Sequence, residues 1–290
     1  MRLFDLHCDT LYKVYSENLS VNSESLDITP LKAECLDKYT QLMAVWIPDG
    51  IRGKQAFELF RNCYNVYKSK YLPLNNSKNK FLLSVENGSV IGGDLSKIPA
   101  LADFGVKAVT IVYNEDNELG SGAFSDSEFG LTSKGKKAVK IFEDNNIFVD
   151  LSHSSVRTFY DVAEVSSKPI IATHSNSYTI CPHKRNLTDK QFEIIKNSGG
   201  IVGVNFYPPF LSSNENLASI KDLLKHIYHF LSLGGEDTLS IGSDFDGCDT
   251  LSELNSIEKI PFLYETLLKH GFNEQVVQKI MYDNAHNFFT

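Results

Sequence analysis

The chain lacks any surplus of positive charge: 28 Lys and Arg stand against 36 Asp and Glu, a formal net charge of −8. Nucleic acid calls for a basic footprint, and no basic stripe is present; Lys134, Lys136 and Lys137 read as a solvated helix start. No nucleic-acid partner is expected. No apolar stretch approaches the roughly 18 residues needed to span a membrane, so no membrane partner is expected either. Met1-Arg2-Leu3-Phe4-Asp5 runs straight into a short apolar segment closed by charge, without a signal-peptide pattern, and Phe288-Phe289-Thr290 carries no lipid-anchor signal. Cysteine is sparse: Cys8, Cys35, Cys63, Cys181 and Cys248 are odd in number and form no C-x-x-C pair. That pattern predicts reduced thiols in a cytoplasmic protein. The chain also has no Gly-x-Ser-x-Gly elbow, no Walker loop and no dinucleotide fingerprint, which excludes the usual serine-hydrolase and nucleotide-binding signals. The sequons beginning at Asn75, Asn87 and Asn186 read as chance.

What is present is a rhythm of short apolar runs and longer helical stretches. Val-, Ile- and Phe-rich runs occur at Leu3–Leu6, Leu42–Ile47, Phe81–Val85, Ala108–Tyr113, Ile147–Leu151, Ile170–Thr173, Ile201–Phe206 and Thr238–Gly242. Each has the length of a buried parallel strand. Helical spacing fills Lys54–Lys70, Thr132–Asn145, Ser155–Val165, Asp189–Ser198 and Leu217–Leu233. Thr188-Asp189 supplies a helix start and Gly199-Gly200 a stop. Eight strands alternating with helices predict an α/β fold, a (β/α)8 TIM-type barrel, although an open doubly wound sheet shares the rhythm. No repeat or composition break divides the chain, so residues 1–290 are expected to form one domain. The polar connection from Thr10 to Tyr39 is expected to be an active-site loop.

Metal-binding residue types cluster just beyond the ends of these runs: His7-Cys8-Asp9, Glu86-Asn87-Gly88, Ser152-His153, Thr173-His174 and Ser243-Asp244-Phe245-Asp246. In a barrel the C-terminal strand ends share one mouth, where catalytic groups collect. Residues i and i+2 of an extended strand face the same way, so His7 and Asp9 can both turn inward while Cys8 packs outward. Imidazole and carboxylate are ligands that catalytic zinc takes, and a carboxylate can bridge two ions. Taken singly, each residue has an ordinary reading. A strand-end His is commonly structural, an Asp there caps a helix, and Glu86 beside Asn87-Gly88 is turn composition. Five strand ends carrying such groups together are not ordinary. The other histidines read as structural: His226 and His229 share one helix, His270 and His286 sit near helix ends, and His183 flanks Arg185. Asn117-Glu118-Leu119-Gly120 is expected to form a polar loop over the same mouth.

Asp5-Leu6-His7-Cys8-Asp9, Ser84-Val85-Glu86-Asn87-Gly88, Leu151-Ser152-His153, Thr173-His174-Ser175-Asn176, Arg185-Asn186-Leu187-Thr188-Asp189 and Gly242-Ser243-Asp244-Phe245-Asp246-Gly247 occur in this order. Together they resemble the renal (membrane) dipeptidase family, peptidase family M19, from about residue 3 to the last helix. The resemblance implies two zinc ions per chain, one held by His7 and Asp9, the other by His153 and His174, with Glu86 bridging. It further implies that Arg185 grips the substrate carboxylate, that Asp244 is the catalytic acid/base, and that the chain forms a homodimer. The implied reaction is hydrolysis of small dipeptides, those with a D-configured C-terminal residue included, by a hydroxide held between the zincs. Animal members carry a substrate-contacting histidine after the fourth strand, where this chain has Tyr113-Asn114; Asn114 is the substitute donor, and the chain looks more like a bacterial member. Alternatives are another amidohydrolase-type reaction (deaminase, lactonase or phosphoesterase) or a non-catalytic metal-binding barrel. The His-x-Asp opening and the Glu86 bridge favour the dipeptidase.

Overall fold

The computed structural model describes residues 1–127 and 129–290. Seven parallel strands form one sheet: β1 (Arg2–Cys8), β2 (Lys38–Trp46), β3 (Asn79–Glu86), β4 (Val106–Thr110), β5 (Phe148–Asp150), β6 (Val202–Val204) and β7 (Leu239–Ile241). Their order is β5-β4-β3-β2-β1-β7-β6. The two outer strands both reach the same segment. Ile171 exchanges backbone bonds with β5 (Leu151 N–H to Ile171 O, 2.8 Å; Ile171 N–H to Val149 O, 3.1 Å), and Ala172 with the β6 strand (Ala172 N–H to Ile201 O, 3.0 Å; Gly203 N–H to Ala172 O, 2.9 Å). The expected Ile170–Thr173 strand is therefore a bridging segment between sheet edges, too short to count as a strand. The sheet is therefore curled, its two edges drawn toward one segment, and its strands are covered on both faces.

Inside the curl, Phe4, Leu6, Leu42, Leu82, Ala108, Ile171 and Ile201 form one cluster, closed by Tyr282 and Ala285. Outside it, the larger core packs the other strand face against helices: Leu3 and Cys8 of β1 belong to one buried cluster with Leu11, Phe60 and Val139 among others. Those helices are α1 (Thr10–Ser16), α2 (Gly53–Val66), α3 (Ile98–Asp103), α4 (Ser133–Asp144), α5 (Val156–Val165), α6 (Asp189–Asn197), α7 (Pro208–Leu211), α8 (Ile220–Ser232), α9 (Ile260–Lys269) and α10 (Glu274–Gln278), whereas α11 (Asn284–Phe289) packs Ala285, Phe288 and Phe289 on the inner cluster. The Thr10–Tyr39 connection is not wholly a loop. Its first seven residues are α1, whose apolar Leu11 and Val14 are buried. The Thr188 start of α6 is a reciprocal capping box with Gln191. A Cβ on Gly200 would collide with the Ile170 carbonyl oxygen, so the α6 stop also serves close packing. Among the described residues, no helix is long and apolar enough to cross a membrane.

His226 on α8 is wholly buried. Its Nδ1 accepts the Ser177 N–H (3.0 Å) and its Nε2–H donates to the Leu211 carbonyl (3.1 Å), so it ties the Ser177 loop and the end of α7 to the helix. Burial pushes its pKa down to about 4, against a smaller upward pull from the Leu211 carbonyl. The folded chain therefore refuses a proton that the unfolded chain takes near pH 6.5, and stability falls as pH drops from about 6.5 to about 4. We expect this site to remove up to about 3 kcal/mol by pH 4. Urea titrations of wild type and His226→Gln across that range check it: the pH slope should be shallower in the variant, and identical slopes would contradict the assignment.

Candidate active site

Six of the expected residues meet at the C-terminal strand ends. Glu86 Oε1 lies 2.9 Å from His153 Nε2, 3.4 Å from His174 Nε2 and 3.8 Å from His7 Nε2. His7 Nε2 lies 3.4 Å from Asp9 Oδ2 and 3.7 Å from Asp244 Oδ1. Within β1, Phe4 and Leu6 face the inner cluster, yet Cys8 packs outside with Leu3. A register irregularity between Asp5 and Cys8 makes the switch. Such irregularities re-aim side chains, and here His7 and Asp9 turn to the mouth. Asp9 stands at the N-cap of α1 but makes no capping bond; its carboxylate is left for the site.

The hydrogen-bond partners fix which atoms face inward. Thr173 Oγ1 donates to Asp150 Oδ2, so it accepts from His174 Nδ1–H (3.0 Å) and leaves the His174 Nε2 lone pair free. His153 Nδ1–H donates to Asn114 Oδ1 (2.9 Å), which frees the His153 Nε2 lone pair likewise. These two lone-pair nitrogens are 2.9 Å apart. Two imidazole lone pairs and the Glu86 carboxyl thus converge, and neither imidazole brings a proton to the contact, while His7 Nε2 and Asp9 Oδ1 are buried with no hydrogen-bond partner among the described residues. Unpaired buried polar atoms are costly and call for an explanation; a cation between them supplies one. The nitrogen and oxygen donor set fits zinc or a similar divalent ion.

Electrostatics point the same way. His153 and His174 are held neutral, their pKa values well below the usual range through burial and the nearby Arg185 and His7 cations. Burial also pulls His7 down, but Glu86, Asp9 and Asp244 together outweigh it and raise its pKa to about 10. Burial, then the Asp9 charge, push Glu86 well above the carboxylate range. Without a metal the cluster therefore retains protons, and metal binding must release them.

The surrounding cavity, about 410 Å³, is lined by Glu86, Tyr113, Asn114, His183, Arg185 and Asp244 among others. Arg185 is buried (4% exposed), stacks on Phe210 (5.3 Å), and leaves its Nε and Nη2 without partners among the described residues. Asn114 thus lines the cavity but turns its oxygen to His153. His183 flanks the site through an Nδ1 contact with the Arg185 N–H (3.2 Å). His229 is instead bound to Asp189 (2.7 Å), away from the cluster.

The supporting roles of several further residues could not be read from the sequence. Asn205 donates to Asp244 Oδ2 (2.9 Å) from within an apolar run. Asp5, buried beneath the site, accepts the Ser243 N–H (2.9 Å) and hydroxyl (2.6 Å); burial, opposed by these bonds, raises its pKa to about 6. A Cβ on Gly247 would collide with Asp9 Oδ2 and lie 3.0 Å from Asp244 Oδ1. Asn87 and Asn186 are buried, with no room for a glycan.

Residues 1–289 match the family described as membrane dipeptidase, peptidase family M19. An uncharacterized dipeptidase of Schizosaccharomyces pombe is 35% identical over 211 residues, 70% of this chain and 50% of that protein, so the match spans half the relative's length. Among solved structures, dipeptidase AC, described as a metallopeptidase of family M19, superposes with a TM-score of 0.92 at 23% identity, covering 100% of this chain and 98% of that one. A metallopeptidase from Rhodobacter sphaeroides, bound to a phosphinate mimic of the dipeptide L-Ala-D-Ala, gives a TM-score of 0.88 at 22% identity, with the same coverage. With its site of converging acceptors and a whole-length family match, the chain belongs to the membrane dipeptidase family, the metallopeptidases of family M19.

Proposed function

We propose that this chain is a zinc-dependent dipeptidase on a closed (β/α)8 barrel, hydrolysing the amide bond of small dipeptides, those with a D-configured C-terminal residue included. The observation that carries the proposal is the meeting of the Glu86 carboxyl with the lone-pair Nε2 atoms of His153 and His174, in a cavity that also presents Arg185 and Asp244. The bonds from residues 171–172 to both sheet edges support closure of the barrel. Acceptance of a D residue is supported by the dipeptide mimic bound in the Rhodobacter sphaeroides relative. Five cysteines without a disulfide support a reducing, cytoplasmic setting.

His7 and Asp9 would hold one zinc, His153 and His174 the second, with Glu86 between them. When bound, the metal pair supplies Lewis-acid polarisation of the scissile carbonyl and lowers the pKa of the attacking water. The chain's own groups do the rest. Arg185, whose two unpartnered nitrogens form a planar fork, grips the C-terminal carboxylate and fixes the amide in place. Asp244 has one oxygen held by Asn205; the other, Oδ1, takes the proton of the attacking water and passes it to the departing amine. Asn114 fixes the His153 ring with its oxygen and directs its amide N–H groups to the developing oxyanion.

Asp244→Asn should lower kcat by about 10²–10⁴-fold, with zinc content near wild type by atomic absorption; normal turnover in the variant would remove Asp244 from this role. Arg185→Met should lower kcat/KM about 10–100-fold, the equivalent of one hydrogen bond to a charged group, chiefly through KM. A dipeptide amide, which lacks the carboxylate, should be cut equally slowly by both enzymes. A variant with wild-type KM for the free dipeptide would contradict the clamp.

A further inference from the structure

Asp246 takes no part in the chemistry above, yet its carboxylate is completely withdrawn from solvent. Oδ2 accepts from Thr10 Oγ1 (2.6 Å), and Oδ1 accepts from Lys13 Nζ (3.3 Å) and from the Asp27 N–H (2.8 Å). The bond with Asp27 is reciprocal, because the Asp246 N–H donates to Asp27 Oδ2 (3.0 Å). Lys13 also donates to the Ser25 carbonyl (3.0 Å). One buried carboxylate therefore joins α1, the 25–27 segment and the turn that follows β7.

The turn and the N-cap of α1 carry the two carboxylates nearest His7 Nε2. Asp9 directly precedes Thr10, and Asp244 lies two residues before Asp246. Backbone bonds bring the two ends together: Asp9 N–H to Phe245 O (3.0 Å) and Asp244 N–H to His7 O (3.2 Å). Both Asp244 (φ 68°) and Asp246 (φ 64°) are left-handed, a conformation that persists only where surroundings impose it. Gly247 closes the turn against Asp9 Oδ2 so tightly that no side chain fits. Like-charged carboxylates repel, and among the described residues no other side-chain hydrogen bond or ion pair joins this turn to α1.

We infer that Asp246, with Asp27 and Thr10, is a positioning clasp that sets the Asp9–Asp244 spacing for metal binding and proton transfer. The inference rests on the reading of Asp9 as a metal ligand and Asp244 as the proton carrier. Groups that orient a metal ligand from behind typically change metal affinity about 10–100-fold when altered, and a misplacement near 1 Å can cost about 10²-fold in rate.

The test uses Asp246→Asn in the full chain, which keeps the side-chain shape but turns one acceptor into a donor facing the Thr10, Lys13 and Asp27 donors. Zinc affinity is read by competition with a chromophoric chelator, and kcat at saturating zinc. The clasp predicts zinc binding weaker by about 10–100-fold, with kcat still reduced at least about tenfold once zinc is saturating. A folded Asp246→Asn protein with zinc affinity and kcat within about twofold of wild type overturns it. If that variant does not fold, Thr10→Val, which deletes one donor and keeps the shape, decides the matter: weaker zinc binding supports the clasp, and wild-type zinc binding overturns it. Should the wild type cut no dipeptide, the dipeptidase reading fails by itself, and the zinc titration still judges the clasp.

Discussion

The structure depends on the crowding of acceptor atoms around Glu86 Oε1. Three imidazole nitrogens lie within 4 Å of that oxygen, and the Asp9 and Asp244 carboxylates lie beside the His7 nitrogen. Such an arrangement is repulsive in a dry site unless cations or shared protons fill it. In the metal-free chain the proton on His7 performs that service; in the loaded enzyme the metals would. Folding and metal binding are therefore linked, since whatever binds only the folded form stabilises it by mass action.

Holding such a cluster requires a frame that does not relax, and the frame is built one partner at a time. Asp150 holds Thr173, which orients His174; Asn114 orients His153; Asn205 steadies Asp244; Asp5 fastens Ser243 at the turn. Asn87, His153, Asp244 and Asp246 all have positive φ and all sit at the mouth. Strained backbone at functional positions persists because the surrounding bonds over-determine it. The parallel strands behind them, buried on both faces, supply the rigidity.

Much of this was legible in the sequence, because the period of buried strands is local and because strand ends deliver their next residues to one mouth. His7, Asp9, Glu86, His153, His174 and Asp244 could be placed at one mouth from position and residue type, whereas Arg185 entered only through the family resemblance. What could not be read depends on contacts distant in sequence. The irregularity in β1 that turns His7 and Asp9 inward is set by pairing with β2. α1 was hidden in a polar connection because only its Thr10, Leu11 and Val14 are buried. Residues 170–173 carry strand-like composition but too few ladder bonds to count as a strand. Asn205 and Asp5 lay inside apolar runs, where a polar residue gives no sign of its partner.

The account's central claim is tested most directly by offering purified protein a panel of L,L and L,D dipeptides before and after chelation. It predicts release of free amino acids that stops on chelation and returns with zinc. Two zinc ions bound per chain with no dipeptide cut would contradict it: the metal centre would stand, and the reaction assigned to it would fall.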